Sequence, residues 1–163
     1  MTYIADHSIP GPLRAQAPVR PRRADRHLRT SDTRWPAIAA ALAKLRAGKR
    51  RSVRIVDADC GSGALLVWAA RYARRLGFTA IEARGIDDQP ALVDCARVSA
   101  CDVPDPAIDL KFETGDLISA LDQEAEFPAD IILWHGQDCC SEAEAAAVAR
   151  AGLTLIAEPR KAV

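Results

Sequence analysis

The sequence predicts a doubly wound α/β domain: a mainly parallel sheet of about five strands with helices on both faces. Its most informative segment, RIVDADCGSG at residues 54–63, has the pattern of a buried strand running into a glycine turn, and an apolar helix begins directly after it at Ala64. Predicted strands and helices then alternate along the rest of the chain. Such alternation favours right-handed βαβ crossovers between parallel strands.

The individual elements follow from hydrophobic periodicity and from the glycine and proline positions. A first amphipathic helix, with N-cap candidates at 31–33 and an end near Gly48, has i, i+3, i+4, i+7 spacing in Trp35, Ile38, Ala39, Leu42 and Leu45. Strands are expected at 53–56, 79–86, 108–113, 130–134 and 153–157. Further helices are expected at 64–76, 90–100 and 141–151, with a short turn or helix at 117–121.

The formal net charge of zero conceals two halves of opposite sign. Residues 1–52 hold twelve Lys or Arg against three Asp or Glu, and the remaining residues hold ten against nineteen. Residues 1–30, rich in proline and arginine and without hydrophobic periodicity, are expected to form a flexible arm, which leaves 31–163 as the α/β domain. The arm either contacts its own acidic domain, is solvated, or binds nucleic acid; it lacks the interleaved aromatics that stack on bases, so nucleic acid is the less favoured partner.

Composition limits the class of protein. The 49% hydrophobic and 27% charged content is typical of a globular protein. No apolar run approaches the roughly 20 residues that span a bilayer, and the first residues lack the layout of a signal peptide, so no membrane partner is expected. Five cysteines, an odd number without repeated spacing, predict free thiols and a cytoplasmic location.

The glycine turn predicts a ligand site. A turn between a strand and a helix brings backbone N–H groups and a helix N-terminus against a ligand, and glycine is needed where the backbone takes a positive φ or approaches the ligand. Gly61 and Gly63 fit that need. Asp59 stands where such turns usually carry their first glycine.

Five segments in order resemble the motifs of class I S-adenosylmethionine-dependent methyltransferases: VDADCGSG, GIDDQPALVDCAR, FETGDL, ADIILWHG and AGLTLIAEP, from about residue 35 to 158. The resemblance implies a Rossmann-like domain, S-adenosylmethionine as cofactor, and methyl transfer to a small-molecule or protein acceptor. One alternative is a degenerate domain of the same family that binds or regulates without catalysis. A nucleotide-binding oxidoreductase is less favoured, because its G-x-G-x-x-G motif would need a third glycine at Leu66.

The resemblance also implies roles for the residues of the glycine turn. Gly61 and Gly63 would let the backbone pass under the methionine part of the cofactor, and Asp57 would face its ammonium group, with helix capping as the alternative. Asp59 would aim a second carboxylate at the carboxylate of the cofactor and repel it. The repulsion shrinks if Asp59 turns to solvent or takes a cationic partner such as Arg54.

The ends of the next two predicted strands supply the remaining contacts that the resemblance implies. Asp87, or its neighbour Asp88, would accept hydrogen bonds from the ribose hydroxyls. Asp116 and Leu117 occupy the place where the family contacts the adenine ring. Helix capping is the alternative for Asp87 and Asp88, and a plain turn aspartate is the alternative for Asp116.

The residues after the fourth predicted strand are where an acceptor would arrive. His135 is the candidate general base because the histidine pKa lies near working pH, although a lone histidine is also often structural. Trp134 would line the cofactor and acceptor pocket or belong to the core. Cys139 and Cys140 lack the further ligands of a zinc site, so no metal is expected.

The strand at 153–157 is expected at an edge of the sheet. Such an edge exposes unpaired backbone donors and acceptors, which proteins rarely leave uncovered. A second copy of the chain could cover it, which predicts a homodimer. The alternative cover is the arm at residues 1–30.

Overall fold

The computed structural model describes residues 32–135 and 141–158. The predicted arm at 1–30 and the loop residues 136–140, among them Cys139 and Cys140, lie outside the described residues. Within the described part, no helix is both long enough and apolar enough to cross a lipid bilayer.

Five described strands form one sheet in the order β3-β2-β1-β4-β5, and every neighbouring pair is parallel. The strands are β1 (Ser52–Ala58), β2 (Ala80–Asp87), β3 (Ile108–Thr114), β4 (Ile131–Trp134) and β5 (Leu155–Ala157). The chain adds strands on one side of β1 and then returns to its other side, so the direction of winding reverses between β1 and β4. This confirms the predicted doubly wound sheet.

Helices cover both faces of the sheet, as predicted. They are α1 (Trp35–Ala47), α2 (Ala64–Leu76), α3 (Pro90–Cys101), α4 (Leu117–Glu124) and α5 (Glu142–Ala151). Helices α1, α2 and α3 share one core with the sheet, in which Leu42, Leu66 and Val93 are fully buried. Helices α4 and α5 share the core of the opposite face through Leu121 and Val148. Residues of β1 alternate between the two cores, as a strand covered on both faces must.

Most element boundaries differ from the expectation by at most one residue, and four differences bear on the description of the structure. β1 extends through Ala58, which places Asp57 inside the strand. The turn or helix expected at 117–121 is a helix that continues to Glu124. β5 begins at Leu155, because Gly152 instead forms an isolated bridge with Ala129. The N-cap residue of α1 is Arg34 and not a residue of 31–33, and the Asp32 carboxylate accepts a hydrogen bond from the Arg34 backbone N–H.

A buried ionic network lies on the α4 face of the sheet. Glu124 of α4 is 1% exposed and contacts Arg84 of β2 as well as Arg54 of β1, whose Nη2 lies 2.7 Å from Glu124 Oε2. Arg54 also pairs with Glu82, and Arg84 with Glu113. Because Glu124 is buried, its charge would be left without compensation if both of the arginines that contact it were removed. The network therefore links α4 to the first three strands.

The ring of Phe112 packs against the glycines of the site. A Cβ added to Gly63 would lie 2.6 Å from the Phe112 ring and 2.8 Å from Ala96 Cβ, and one added to Gly85 would lie 2.5 Å from the ring. A Cβ on Gly61 would meet nothing within 4 Å. Gly63 is thus required by core packing, whereas Gly61 borders open space.

We expect Gly63→Ala to destabilise the fold much more than Gly61→Ala. Both positions have positive φ, 72° and 54°, so each alanine costs about 1 kcal/mol of backbone strain. Only Gly63→Ala also forces a side chain into the Phe112 ring, which adds about 1–3 kcal/mol. Urea unfolding of the two variants measures the difference. Adding Phe112→Leu should recover part of the loss in Gly63→Ala; equal losses in the two alanine variants would contradict the packing role.

Candidate ligand site at the carboxyl ends of the strands

The turn after β1 has a left-handed backbone at three positions. Asp59, Gly61 and Gly63 have φ values of 67°, 54° and 72°. Asp59 therefore takes the conformation that glycine would supply, and aspartate is among the few non-glycine residues that adopt it readily. The backbone N–H of Cys60 donates to the carbonyl of Ile86 at 2.9 Å, which ties the turn to β2. The departure from glycine at position 59 thus leaves the geometry of the turn intact.

Asp87 at the end of β2 anchors this turn. The side chain is 2% exposed. Its Oδ2 accepts a hydrogen bond from the Gly61 N–H at 2.7 Å, and its Oδ1 accepts one from the Gln89 N–H at 2.9 Å. Gln89, not Asp87, is the N-cap residue of α3. Asp87 therefore holds the turn and the start of α3 together, and Asp88 beside it is exposed.

Asp57 is buried near the end of β1 with one oxygen unsatisfied. It is 1% exposed, and its Oδ1 has no hydrogen-bond partner among the described residues. Burial raises the pKa of Asp57 to about 8; the positive charge of Arg34 opposes this rise, and the carboxylates of Asp32, Asp59 and Asp87 add to it. A positive charge placed beside this carboxyl group would favour its ionised form, so the environment suits a cationic ligand.

Arg34, just before α1, is a residue of the site that the sequence did not reveal. It is 2% exposed, and the Asp32 carboxylate holds it through Nε–Oδ1 and Nη2–Oδ2 contacts of 3.1 and 2.9 Å. Burial alone would raise the pKa of Asp32, but the hydrogen bonds from Arg34 lower it overall. Arg34 Nη1 is buried and has no partner among the described residues. The sequence indicates residues 31–33 as N-cap candidates, and nothing in that pattern indicates that the adjacent arginine is buried.

Arg54 is not the cationic partner of Asp59. Arg54 lies near the opposite end of β1, where Glu82 and Glu124 bind it. Burial raises the pKa of Asp59, and the nearby carboxylates Asp87 and Asp88 add to the rise, while His135 opposes it. Asp59 therefore belongs to an acidic cluster at the carboxyl ends of β1 and β2.

His135 follows β4 and contacts Arg34 across the site. Its Nε2 lies 3.4 Å from Arg34 Nη2, and its Nδ1 lies 3.7 Å from an oxygen of Glu158. A guanidinium can only donate, so Nε2 must accept and the ring proton resides on Nδ1. The lone pair that a general base needs is then directed at Arg34. The general-base role stays a prediction, and this geometry favours the structural alternative.

The other predicted contacts lie at the ends of β3 and β4. Asp116 is the N-cap residue of α4, where its Oδ1 accepts a hydrogen bond from the Ser119 N–H at 2.8 Å, and this bond lowers its pKa. Leu117 and Trp134 are partly buried against the core of the α4 and α5 face. Their contacts with adenine or an acceptor remain predictions.

The thiols among the described cysteines are free. Cys60 is buried, and burial, with the charges of Asp57 and Asp87, raises its pKa to about 12; Cys95 and Cys101 are exposed. The described residues contain no group of three or more His, Cys, Asp or Glu side chains that could hold a metal ion.

A groove of about 660 Å³ opens at the opposite end of the sheet from the acidic cluster. It is lined by the first residues of β1 and β2 and by the neighbouring loops, including Arg50, Thr79 and Phe127. The groove does not contain the glycine turn. The candidate site is therefore identified by the residues at the carboxyl ends of the strands and not by this groove.

Comparison with known proteins supports the fold. No protein-family model and no curated protein matches the chain. A solved structure of monomeric WbdD, a bifunctional kinase–methyltransferase, matches with a TM-score of 0.50 at 22% identity, over 66% of this chain and 24% of WbdD. The magnesium protoporphyrin IX methyltransferase of Synechocystis with bound S-adenosylhomocysteine matches with a TM-score of 0.47 at 19% identity, over 72% of this chain and 51% of that one. YjhP of Escherichia coli matches with a TM-score of 0.46 at 22% identity, over 71% of this chain and 44% of YjhP.

The likeness to WbdD shows a shared fold. The chain spans between about a quarter and about half of the length of these solved structures. What those proteins bind or modify is a property of each of them.

The buried Asp57 predicts an unusual pH dependence of stability. Its pKa of about 8 in the folded state lies above the ordinary value of 3.8, so between these values the folded state binds more protons than the unfolded state. The free energy of unfolding therefore falls as pH rises from about 4 to 8, by at most about 1.4 kcal/mol per pH unit from this group. Thermal melts from pH 5 to 8 should show a flatter dependence for Asp57→Asn than for the unaltered chain.

Asp116→Asn is the matched control for this measurement. The pKa of Asp116 is lowered in the folded state, so its contribution to stability appears as pH rises toward the ordinary value of 3.8 and is constant above it. Between pH 5 and 8 this variant should therefore show the same pH dependence of stability as the unaltered chain. A dependence in Asp57→Asn as steep as that of the unaltered chain would contradict the assignment to Asp57.

Proposed function

We propose that this chain binds S-adenosylmethionine at the carboxyl ends of β1, β2 and β3 and transfers its methyl group to a small-molecule or protein acceptor. The observation that carries the proposal is the buried carboxylate of Asp57, with an unpartnered oxygen, beside a left-handed glycine turn at the point where the sheet reverses its winding. Ligands of open α/β sheets bind at such a reversal. The motif resemblance from residue 57 to 158 names the ligand.

The residues present suit this cofactor. S-adenosylmethionine carries two positive charges, on sulfur and on nitrogen, and the acidic cluster of Asp57, Asp59 and Asp87 provides a field of the opposite sign. The space above Gly61 is open for 4 Å, which allows a ligand to approach the backbone there. Asp87, with both oxygens already bonded to the backbone, still has lone pairs for the ribose hydroxyls, and Asp88 is the exposed alternative.

The chain itself contributes binding and orientation to the proposed reaction. When bound, S-adenosylmethionine supplies an electrophilic methyl group, so the protein needs chiefly to place an acceptor in line with it. Trp134 and His135 end β4 beside this position and would border the acceptor. The reaction needs a base only when the acceptor carries a proton that must leave.

A catalytically degenerate binding domain is the second candidate function, and the contact of His135 with Arg34 favours it. With its Nε2 lone pair directed at Arg34, His135 cannot take a proton from an acceptor without leaving that contact. Both candidate functions require the cofactor site. They differ in turnover, which a methyl-transfer assay with a radiolabelled cofactor over pooled acceptors would detect.

We expect the unaltered chain to bind S-adenosylhomocysteine in a calorimeter and Asp87→Asn to bind it at least about tenfold more weakly. The substitution removes a charge-assisted contact with the ribose and loosens the turn through Gly61. The matched control is Asp122→Asn, an exposed carboxylate paired only with Arg150 on the surface, which should bind normally. Unchanged affinity in Asp87→Asn, with weaker binding in Asp88→Asn, would move the ribose contact to Asp88.

We also propose that the chain forms a homodimer through the edge of β5 that pairs with no other described strand, and that it acts in the cytoplasm. Two exposed apolar side chains lie in or just before this strand: Leu153 is 73% exposed and Leu155 44%. An edge strand with apolar neighbours is a ready surface for a second copy, and twofold symmetry is the commonest arrangement. The free thiols of Cys60, Cys95 and Cys101 support a reducing compartment.

Light scattering tests the assembly. We expect a dimer for the full chain and a monomer for Leu155→Arg, because a charge at the paired edge is not tolerated. Val98→Arg is the control, since Val98 is 71% exposed on α3 and lies away from β5; it should remain dimeric. A monomeric unaltered chain would contradict the proposed dimer.

A further inference from the structure

Described residues hold the guanidinium of Arg34 in place, but one of its nitrogens has no hydrogen-bond partner among them. Asp32 binds Nε and Nη2, and His135 Nε2 lies 3.4 Å from the same Nη2. Nη1 is buried and meets no acceptor among the described residues. The side chain as a whole is only 2% exposed, so bulk solvent has little access to it. A charged donor left unsatisfied in the interior is costly, so such a group calls for a partner from outside the chain.

Asp57 presents the complementary deficit in the same site. Its Oδ1 is equally buried and has no hydrogen-bond partner in the described part of the chain. The charges of Arg34 and Asp57 act on each other: Arg34 opposes the rise in the pKa of Asp57, and Asp57 helps to raise the pKa of Arg34. A cationic donor and a carboxyl group that a bound cation would ionise, each with one atom that no described residue satisfies, match a ligand group that carries one negative and one positive charge a few atoms apart.

We propose that Arg34 recognises the carboxylate of a zwitterionic α-amino-acid group whose ammonium faces Asp57, and that Asp32 and His135 position Arg34 for this contact. This inference rests on the proposed function, since S-adenosylmethionine ends in such a group. Arg34 Nη1 is the contacting atom. Asp32 fixes the plane of the guanidinium through two contacts, and His135 limits its rotation from the other side.

Arg34 also removes the conflict expected at Asp59. A carboxylate at position 59 was expected to repel the carboxylate of the cofactor. The buried guanidinium supplies a positive charge in the same site, and His135 acts on Asp59 as well. An acidic cluster with one buried arginine can hold both ends of a zwitterion, whereas the acidic cluster alone would attract only its ammonium.

Calorimetry with three ligands tests the assignment on the full chain. S-adenosylhomocysteine carries the whole amino-acid group, its decarboxylated analogue lacks only the carboxylate, and 5′-deoxy-5′-methylthioadenosine lacks the entire group. The unaltered chain should prefer S-adenosylhomocysteine over the decarboxylated analogue by at least about tenfold. In Arg34→Ala that preference should fall to about one, while binding of methylthioadenosine changes little. Arg34→Lys should retain part of the preference, because it keeps the charge but not the guanidinium plane.

His135 variants test the positioning role. His135→Leu should reduce the carboxylate preference and leave the affinity for methylthioadenosine unchanged, whereas His135→Gln, which keeps an acceptor for Arg34, should restore most of it. Arg150→Ala, which removes an exposed arginine of α5 paired with Asp122, is the matched control and should behave as the unaltered chain.

The outcomes separate this inference from the function on which it rests. If the unaltered chain binds S-adenosylhomocysteine and its decarboxylated analogue equally, or if the preference survives in a folded Arg34→Ala, ordered water satisfies Nη1 and the inference is wrong while the cofactor site stands. If the unaltered chain binds none of the three ligands, both proposals are overturned. Thermal melts establish whether Arg34→Ala folds; if it does not, the ligand pair on the unaltered chain and Arg34→Lys decide.

Discussion

The carboxylate of Asp87 is the contact on which the geometry of the candidate site depends. It accepts backbone hydrogen bonds from Gly61 in the turn after β1 and from Gln89 at the start of α3. From the other side the Phe112 ring fills the space that Gly63 and Gly85 leave free. A turn with three left-handed residues is held in place because it is bound through its backbone and packed through its glycines. The open position at Gly61 is thereby presented to a ligand in a fixed conformation.

Local patterns in the sequence sufficed for the fold and for the turn. The alternation of apolar strands and helices predicted five parallel strands with helices on both faces, and the segment DADCGSG predicted the glycine turn, whereas the left-handed backbone of Asp59 is seen only in the structure. Arg34 was missed because nothing local announces it: His135 lies 101 residues further along the chain. That Arg54 pairs with Glu124 and not with Asp59 could not be read from the sequence either, because it depends on how helix α4 packs against β1.

Charge is divided between two places in the molecule with different consequences. On the α4 face, Arg54 and Arg84 surround the buried Glu124, so opposite charges there compensate one another. At the carboxyl ends of the strands, the carboxylates of Asp57, Asp59 and Asp87 outnumber the single buried guanidinium of Arg34. Both places contain buried atoms without a hydrogen-bond partner among the described residues: Arg84 Nε and Glu124 Oε2 in the first, Arg34 Nη1 and Asp57 Oδ1 in the second. The second place differs because its excess of carboxylates adjoins the open position at Gly61, which favours it as the candidate binding site.

Asp57 shows most directly that stability and binding make opposite demands on this site. The neighbouring residues of β1, Val56 and Ala58, are buried and apolar, and an apolar residue at position 57 would carry no electrostatic cost. A carboxyl group there is held largely protonated up to a pH of about 8, and ionising it at neutral pH costs folding free energy. Arg34 offsets part of that cost, and a bound cation would offset more of it by stabilising the ionised form. The packing of the strand does not account for a carboxyl group at this position, whereas the cationic ligand of the proposed function would.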